Sequence, residues 1–397
     1  MAAPAQGTPP IDTKALAAEA TDRTERLLAE AIGLQRQHNE REAIECLLTA
    51  YDMEMPPVAK AQLHLLAGNG FLRLSELEEA EGHYRQALAA AEKAGHQQGE
   101  AAVRGNLGVV YARRSELDKA EEHHNRALAI DENIGDKLGQ ANQLGNLGNV
   151  YSDRGDLDRA GEHYEKALAL HEEIGNGPGQ ANQLGNLGIV HRMRGDLEKA
   201  EMQHKKALVI HEEIGDKLGQ ANALGNLGNV HQQRGDSKEA EEYYKEALAI
   251  QEKIDNKLGQ ASALGNLGNV YQQRGDLKEA EEHYRKALAI AEDISDRIGQ
   301  ANAFGNLGNV YRDRGELDAA EEYHGKALAI DDKIGNKLGA AEDLGNLGLL
   351  AEIRGDSGTT RGFLERAAQL YEASGAGGEG PEIVREALQR LQALGED

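Results

Sequence analysis

Apolar stripes and polar turns alternate along this chain with a period of forty residues. In residues 141–180, taken as the type unit, Leu144, Leu147, Val150 and Tyr151 recur at helical spacing and stop at Arg154-Gly155-Asp156. A second stripe follows, with Leu157, Ala160, Tyr164, Ala167, Leu168 and Ile174 mostly three or four residues apart. Asp156 stands where a side-chain oxygen can accept from the orphan amides of a helix start. The pattern predicts two amphipathic helices joined by a tight turn, with residues 175–179 leading into the next unit.

The small residue of the second helix returns at Ala80, Ala120, Ala160, Ala200, Ala240, Ala280 and Ala320, and Thr360 keeps the register. Upstream, residues 24–57 fit a shorter copy with Ala31, Leu34, Ala43, Leu47 and Ala50, closed by Pro56 and Pro57. That makes nine hairpins. A fixed period of this length means an all-α solenoid, each unit burying its apolar face only against its neighbours. The pattern breaks at residues 375–380, and Pro381 opens a last helix through Leu394. Its Val384, Leu388, Leu391 and Leu394 are spaced to cover the open end of the stack. The expected divisions are a disordered terminus over 1–12, a divergent hairpin over 13–60, eight repeats over 61–374 and a capping helix over 381–394.

The unit resembles a tetratricopeptide repeat. Leu147, Gly148, Tyr151, Ala160, Tyr164 and Ala167 occupy the family's Leu, Gly, Tyr, Ala, aromatic and Ala positions. The resemblance implies a right-handed superhelical solenoid of antiparallel hairpins, with aromatics filling the gaps between hairpins. The proline after the second helix is absent, and about six residues exceed the family's usual 34. They are expected to lengthen the second helix and the linker. Gly-Asn-Leu-Gly-Asn strings with Gly-Asp-Lys-Leu-Gly linkers (residues 135–139 and 215–219) resemble in particular the forty-residue repeats of LGN/Pins-type scaffolds, which bind extended peptides. Kinesin light chains and bacterial repeat arrays have related units. Nothing after Gly375 is similar to the GoLoco segments of those scaffolds, so the resemblance carries no spindle-orientation role.

Asparagine recurs on one side of the first helix. With Asn142 at zero on an ideal helix, Asn146 falls near roughly 40° and Asn149 near roughly −20°, whereas Leu147 and Tyr151 fall near roughly 140° and 180°. The first rung holds Asn142, Asn182, Asn222 and Asn302. The second holds Asn106, Asn146, Asn186, Asn226, Asn266, Asn306 and Asn346, and the third Asn149, Asn229, Asn269 and Asn309. In the family this face lines a concave groove. The amide can pair with both N–H and C=O of an extended backbone, and Gly145, beside the rungs, permits close approach of another chain. Peptide binding by the ladder is the leading expectation. Internal bridging by the same amides, or their spread by duplication of near-identical repeats, is the alternative. A self-assembling structural module is the second reading of function.

Charge narrows the partners. The formal net charge is −24 and the pI near 5.0, which disfavours nucleic acid and anionic membrane. The acids concentrate on the second helices, leaving the first helices comparatively neutral. A protein or peptide partner is expected, with a monomeric or weakly oligomeric, cytoplasmic chain. Residues 1–11 are Ala/Pro-rich and uncharged without an apolar core, so no secretory signal is expected there. No apolar run is long enough to span a bilayer. Cys46 is the single cysteine, so no intramolecular disulfide forms.

Several motifs read as structure. Arg154-Gly155-Asp156 and its copies spell an adhesion tripeptide but sit at the turn and helix cap. His123, His163 and His283 recur one repeat apart, about 10 Å between neighbouring helices, too far to share a metal. The basic residues of a chaperone-tail carboxylate clamp are missing beside Asn149, where Gly145 and Asn142 stand. No phosphate loop, nucleophile elbow or metalloprotease string is present. Neither enzyme activity nor a cofactor or metal is expected.

Overall fold

The computed structural model describes residues 30–31, 39–49, 56–375 and 378–394. The expectation for residues 1–12, and much of that for 13–60, lies outside them. Among the described residues every regular element is a helix. α1 (Glu40–Thr49) precedes eight hairpins: α2 (Pro57–Arg73) with α3 (Leu77–Ala94), α4 (Gln97–Arg113) with α5 (Leu117–Ile134), α6 (Lys137–Asp153) with α7 (Leu157–Glu173), and α8 (Gly177–Met193) with α9 (Leu197–Glu213). Then come α10 (Lys217–Arg234) with α11 (Ser237–Lys253), α12 (Lys257–Arg274) with α13 (Leu277–Asp293), α14 (Arg297–Asp313) with α15 (Leu317–Ile334), and α16 (Lys337–Ile353) with α17 (Ser357–Ser374). α18 (Glu379–Leu394) is the last described helix. The even-numbered helices from α2 to α16 are thus the first helices of hairpins.

Two compact units result, residues 1–210 and 211–397, dividing inside α9. Within each, a helix packs most on its hairpin partner and next on the helix that follows. Successive first helices also touch, α2 with α4 and α4 with α6 in one unit, α12 with α14 and α14 with α16 in the other. The first helices are therefore the more crowded layer of each unit.

The core follows the apolar stripes. Leu147, Tyr151, Ala160, Tyr164, Leu187 and Val190 form one buried cluster across α6, α7 and α8. Tyr164 lies across Gly148 of its own hairpin, where an added Cβ would sit 2.4 Å from the ring. The aromatic thus fills a gap inside the hairpin, not only between hairpins as the family resemblance implied. Ala31, Ala43 and Leu47 are fully buried, and Ala31 and Leu47 join Leu63, Leu66 and Ala67 of α2. At the other end Val384, Ala387 and Leu391 of α18 pack on Ala341, Leu344, Leu364, Ala367 and Tyr371. α18 begins at Glu379, so Pro381 lies in its first turn and does not open it.

The extra residues of the repeat do not lengthen the linker. The glycine-rich string after the second helix is mostly helical: α6 starts at Lys137, and both helices of the type hairpin are 17 residues long. Asp136 caps α6, its carboxylate accepting from the Gly139 amide at 2.9 Å. Asn176, Asp216, Asn256, Asp296 and Asn336 repeat that cap. Asp156 caps α7 as its position suggested, accepting from the Arg159 amide at 3.1 Å.

Most turns use glycine in the left-handed region, with φ of 71° at Gly135 and 78° at Gly155. Asp255 and Ser295 stand in the same place with φ of 51° and 57°, where a Cβ is strained. Asp255→Gly and Ser295→Gly are each expected to add roughly 0.5–1 kcal/mol of stability, measured by urea unfolding. An unchanged midpoint in both would show that the turn carries no such strain.

Arginine of the adhesion-like tripeptide has a packing task. Arg154 binds Glu121 of the preceding second helix, and the Tyr151 hydroxyl donates to the same carboxylate at 2.5 Å. Tyr111 and Arg114 hold Glu81, Tyr271 and Arg274 hold Glu241, and Tyr311 and Arg314 hold Glu281. Burial alone would raise Glu241, but hydrogen bonds from Lys245, Tyr271 and Arg274 outweigh it and hold the carboxyl at about 2. Gly161 leaves this clamp without its acid, and Arg194 turns to Asp158 and the Leu157 carbonyl, both at 2.6 Å.

Candidate functional site

The three asparagine rungs differ in their surroundings. On the first, Asn182, Asn222 and Asn302 are exposed and Asn142 is half-buried. On the second, Asn146, Asn186, Asn226, Asn266 and Asn306 are half-buried and make no hydrogen bond within the protein. The ends of this rung do bond internally: the Asn106 amide donates to Asn69 at 3.0 Å, and Asn346 accepts from Arg312 at 3.3 Å.

The third rung is tied inward. The Tyr164 hydroxyl donates to Asn149 at 2.8 Å, Tyr244 to Asn229 at 2.7 Å and Tyr284 to Asn269 at 2.6 Å. Tyr84 does the same with Asn69 at 2.8 Å. These hydroxyls are buried or nearly so, and a buried donor without an acceptor costs about 1–3 kcal/mol. The asparagine fifteen residues earlier supplies that acceptor. Where the second helix carries His124 or His204, the matching position is Val109 or Ile189. Only Asn309, opposite His324, departs from this pairing. Tyr–Asn and His–aliphatic pairing was therefore visible in the repeat alignment of the chain with itself, although a single-helix wheel does not show it. The pinned asparagines keep their N–H groups and a second lone pair on the oxygen for other use.

Glycine beside the rungs is open in some repeats and closed in others. Gly105 lies under Gln143, whose amide is 2.8 Å from where a Cβ would stand, and Gly145 lies under Gln183 at 3.0 Å. Asp343 comes within 3.4 Å at Gly305. Close approach of another chain at Gly145 is therefore blocked by the next repeat. At Gly225 and Gly265 a Cβ would meet nothing within 4 Å, because Ala263 and Ala303 replace the covering side chain. Gln143 is itself held by buried His124, Nδ1 to Oε1 at 3.0 Å, and Asp343 by buried His324 at 3.1 Å. Burial keeps His124 down at about 4.

His123, His163 and His283 lie tilted against the tyrosines of the preceding first helix, with ring centroids 5.2, 4.9 and 4.9 Å from those of Tyr111, Tyr151 and Tyr271. Among the described residues no three His, Cys, Asp or Glu side chains gather as a metal would require. No described helix is long and apolar enough to cross a membrane.

The junction from one hairpin to the next pairs a buried residue with the cap residue. His211 meets Asp216 at 2.9 Å, Gln251 accepts from Asn256 at 2.8 Å and Asp331 from Asn336 at 2.9 Å. The α5–α6 junction instead sets Asp131, 2 % exposed, beside Asp136. Burial first, and the Asp136 charge second, raise Asp131 to about 7. A carboxyl raised in the folded state costs nothing below its ordinary value of about 4, and its penalty grows up to about pH 7. Asp131→Asn is accordingly expected to stabilise the first unit by about 1–2 kcal/mol at pH 8 and not at pH 4, followed by urea unfolding. Equal effects at both pH values would contradict the raised carboxyl.

A family model, the tetratricopeptide repeat, matches residues 60–133, 140–213, 219–293 and 299–373. No curated protein matches the sequence. Among solved structures, a signal transduction ATPase with a tetratricopeptide repeat sensor from Pyrococcus horikoshii is similar with a TM-score of 0.64 at 16% identity, over 95% of this chain and 55% of that one. The apo quorum sensor NprR from B. thuringiensis is similar with a TM-score of 0.63 at 15% identity, over 90% and 99%. A Rap protein complexed with Competence and Sporulation Factor gives 0.57 at 19% identity, over 95% and 98%. These likenesses are of fold. The paired helices, the small-residue positions and four family matches over most of its length show that the chain belongs to the tetratricopeptide repeat family.

Proposed function

We propose that the array is a non-enzymatic scaffold that holds an extended segment of a partner protein along the free faces of its first helices, in the cytoplasm. The observation that carries this is the second rung. Asn146, Asn186, Asn226, Asn266 and Asn306 sit half-buried in successive repeats with unused donors and acceptors. Asparagine is a poor helix former, and no internal partner accounts for it in these five repeats, in contrast to Asn106 and Asn346 at the ends of the rung. The exposed first rung adds reach, and the third adds N–H donors whose orientation the tyrosines set. The solved Rap protein of similar fold holds a Competence and Sporulation Factor, which is consistent with a bound partner on such an array.

The test replaces Asn226, Asn266 and Asn306 together by Ala. Asn229 and Asn269 stay, because removing them would take one of the two acceptors from each of Tyr244 and Tyr284, whose hydroxyls also reach Gln232 at 2.9 Å and Gln272 at 3.0 Å. Backbone-directed hydrogen bonds are each worth about 0.5–1.5 kcal/mol, so affinity for a partner captured by crosslinking from native cell extract should fall roughly a hundredfold. Circular dichroism and the thermal midpoint should not fall. Undiminished capture by the folded variant would assign the second rung to duplication alone.

A further inference from the structure

We infer that the edge of the second unit where successive hairpins join is a self-association surface, and that its occupant is a second copy of this chain. Its first mark is a repeated exposure of large apolar side chains. Ile214 and Leu218 flank the α9–α10 junction, Ile254 and Leu258 the α11–α12 junction, Ile294 and Ile298 the α13–α14 junction, and Ile334 and Leu338 the α15–α16 junction. All eight are between 36% and 56% exposed. The first unit does not repeat this. Ala94 and Gln98 stand in these places at the α3–α4 junction, Ile134 and Leu138 are half-buried, and Pro178 replaces the leucine after exposed Ile174.

The second mark is charge set against the helix dipole. A helix favours acids in its first turn and bases in its last. Here α10, α12, α14 and α16 open on Lys217, Lys257, Arg297 and Lys337, with no acid in the first turn. The last turns of α9, α11, α13 and α15 carry exposed Glu212, Glu213, Glu252, Glu292, Asp293 and Asp332, against two exposed bases, Lys253 and Lys333. Of these acids Asp332 is already held by Arg366, at 2.9 Å. Between the rows, Asp216 and Asp296 are engaged as helix caps, and exposed Asp255 meets Lys257 at 3.4 Å. Helix stability opposes this arrangement at all four junctions, and a contact outside the hairpins accounts for it.

The edge therefore has two lines. The ends of the second helices present isoleucine and acids; the starts of the first helices present leucine or isoleucine and bases. A two-fold axis running along the edge lays a second copy on it in the same direction and exchanges the lines. Acids then meet bases, and Ile254 meets Leu258 of the other copy. An axis across the edge would instead set each line on its own copy, acid on acid and base on base. A whole Leu or Ile side chain offers roughly 120 Å², so eight near half exposure offer about 400 Å² of apolar surface. A stable pair covers about 800 Å² on each partner, somewhat more than half of it apolar. The apolar lines supply about that apolar share, and the charged rows beside them supply the polar remainder.

Sedimentation velocity of the full chain at micromolar concentration should show a dimer, and Leu258→Ser with Ile298→Ser should give a monomer of unchanged thermal midpoint. Lys257→Glu with Arg297→Glu should weaken the dimer at least tenfold. Adding Glu252→Lys with Glu292→Lys to that same chain should restore it, because the exchanged rows are again complementary. Each of these charge changes suits the helix dipole, so the variants should fold as well as the wild type. A wild-type chain that stays monomeric overturns the second copy as occupant. A dimer untouched by the serine pair overturns the edge as its location. Failure of the first charge pair to weaken the dimer, or of the fourfold variant to restore it, overturns the setting of acid row on base row. The edge shares no residue with the asparagine rungs, so none of these outcomes decides the peptide-binding reading.

Discussion

Gly228→Ala is expected to cost about 3 kcal/mol and to lower the urea midpoint of the second unit. The reason is a ring in the way. A Cβ at Gly228 would stand 2.5 Å from Cε1 of Tyr244, a fully buried side chain whose hydroxyl donates to Asn229. Backbone cannot yield inside an α-helix without breaking its bonds, so the tyrosine must leave its place. It then loses its packing on Leu267 and Val270 of the next hairpin and its acceptors together. Gly225→Ala, one turn earlier on the same helix, is expected to move stability in the opposite direction by about 1 kcal/mol, since its new methyl meets nothing within 4 Å. Tyr244→Phe should fall between, at about 1 kcal/mol lost with the hydrogen bond. Urea unfolding followed by circular dichroism reads all three. A Gly228→Ala variant as stable as wild type would mean that the ring does not lie across the glycine.

Much of this architecture is local, and local features were legible. Three-and-four spacing placed the helices, Asp156 marked a cap, and the ruler from Ala80 to Thr360 marked the eight described hairpins. The linker was misread because Gly139 and its equivalents look like breakers. In fact Asp131 lies 2.5 Å from where a Cβ at Gly139 would stand, so the preceding helix demands glycine inside the first turn of α6. The demand comes from another element and leaves no trace in helix propensity. The asparagine ladder shows the same limit. A wheel put Asn149 opposite Tyr151 and so left it facing solvent, but Tyr164 reaches Asn149 from the partner helix. Gly145 was expected to admit a ligand, yet Gln183 of the following repeat covers it. One helix reports its own faces correctly; what arrives over those faces belongs to side chains of the partner helix, as Tyr164 does, or of the next repeat, as Gln183 does.

Removal of α18, leaving residues 1–375, should destabilise the second unit by about 4 kcal/mol and make the chain self-associate. The estimate counts Val384 and Leu391, each worth about 1.5–3 kcal/mol buried, with Ala387 adding to the loss and the recovered entropy of the released helix offsetting part of it. What remains is an apolar face on the last hairpin: Ala341, Leu344, Leu364, Ala367 and Tyr371 lie under α18. The bonds from Arg390 to Glu352, 3.2 and 3.1 Å long, are exposed and add little. Retaining Gly375, the left-handed cap of α17 with φ of 67°, keeps that helix from fraying for a separate reason. Light scattering should then show particles that grow with concentration, and urea unfolding an earlier midpoint. Val384→Asp with Leu391→Asp in the full-length chain should reproduce both effects, because a buried carboxylate forces the helix off the same face. A truncated chain that stays monodisperse with an unchanged midpoint would mean that the stack ends at α17 and needs no cover. If the truncated chain associates and the aspartate variant does not, α18 prevents assembly by its bulk, and the apolar contact is secondary.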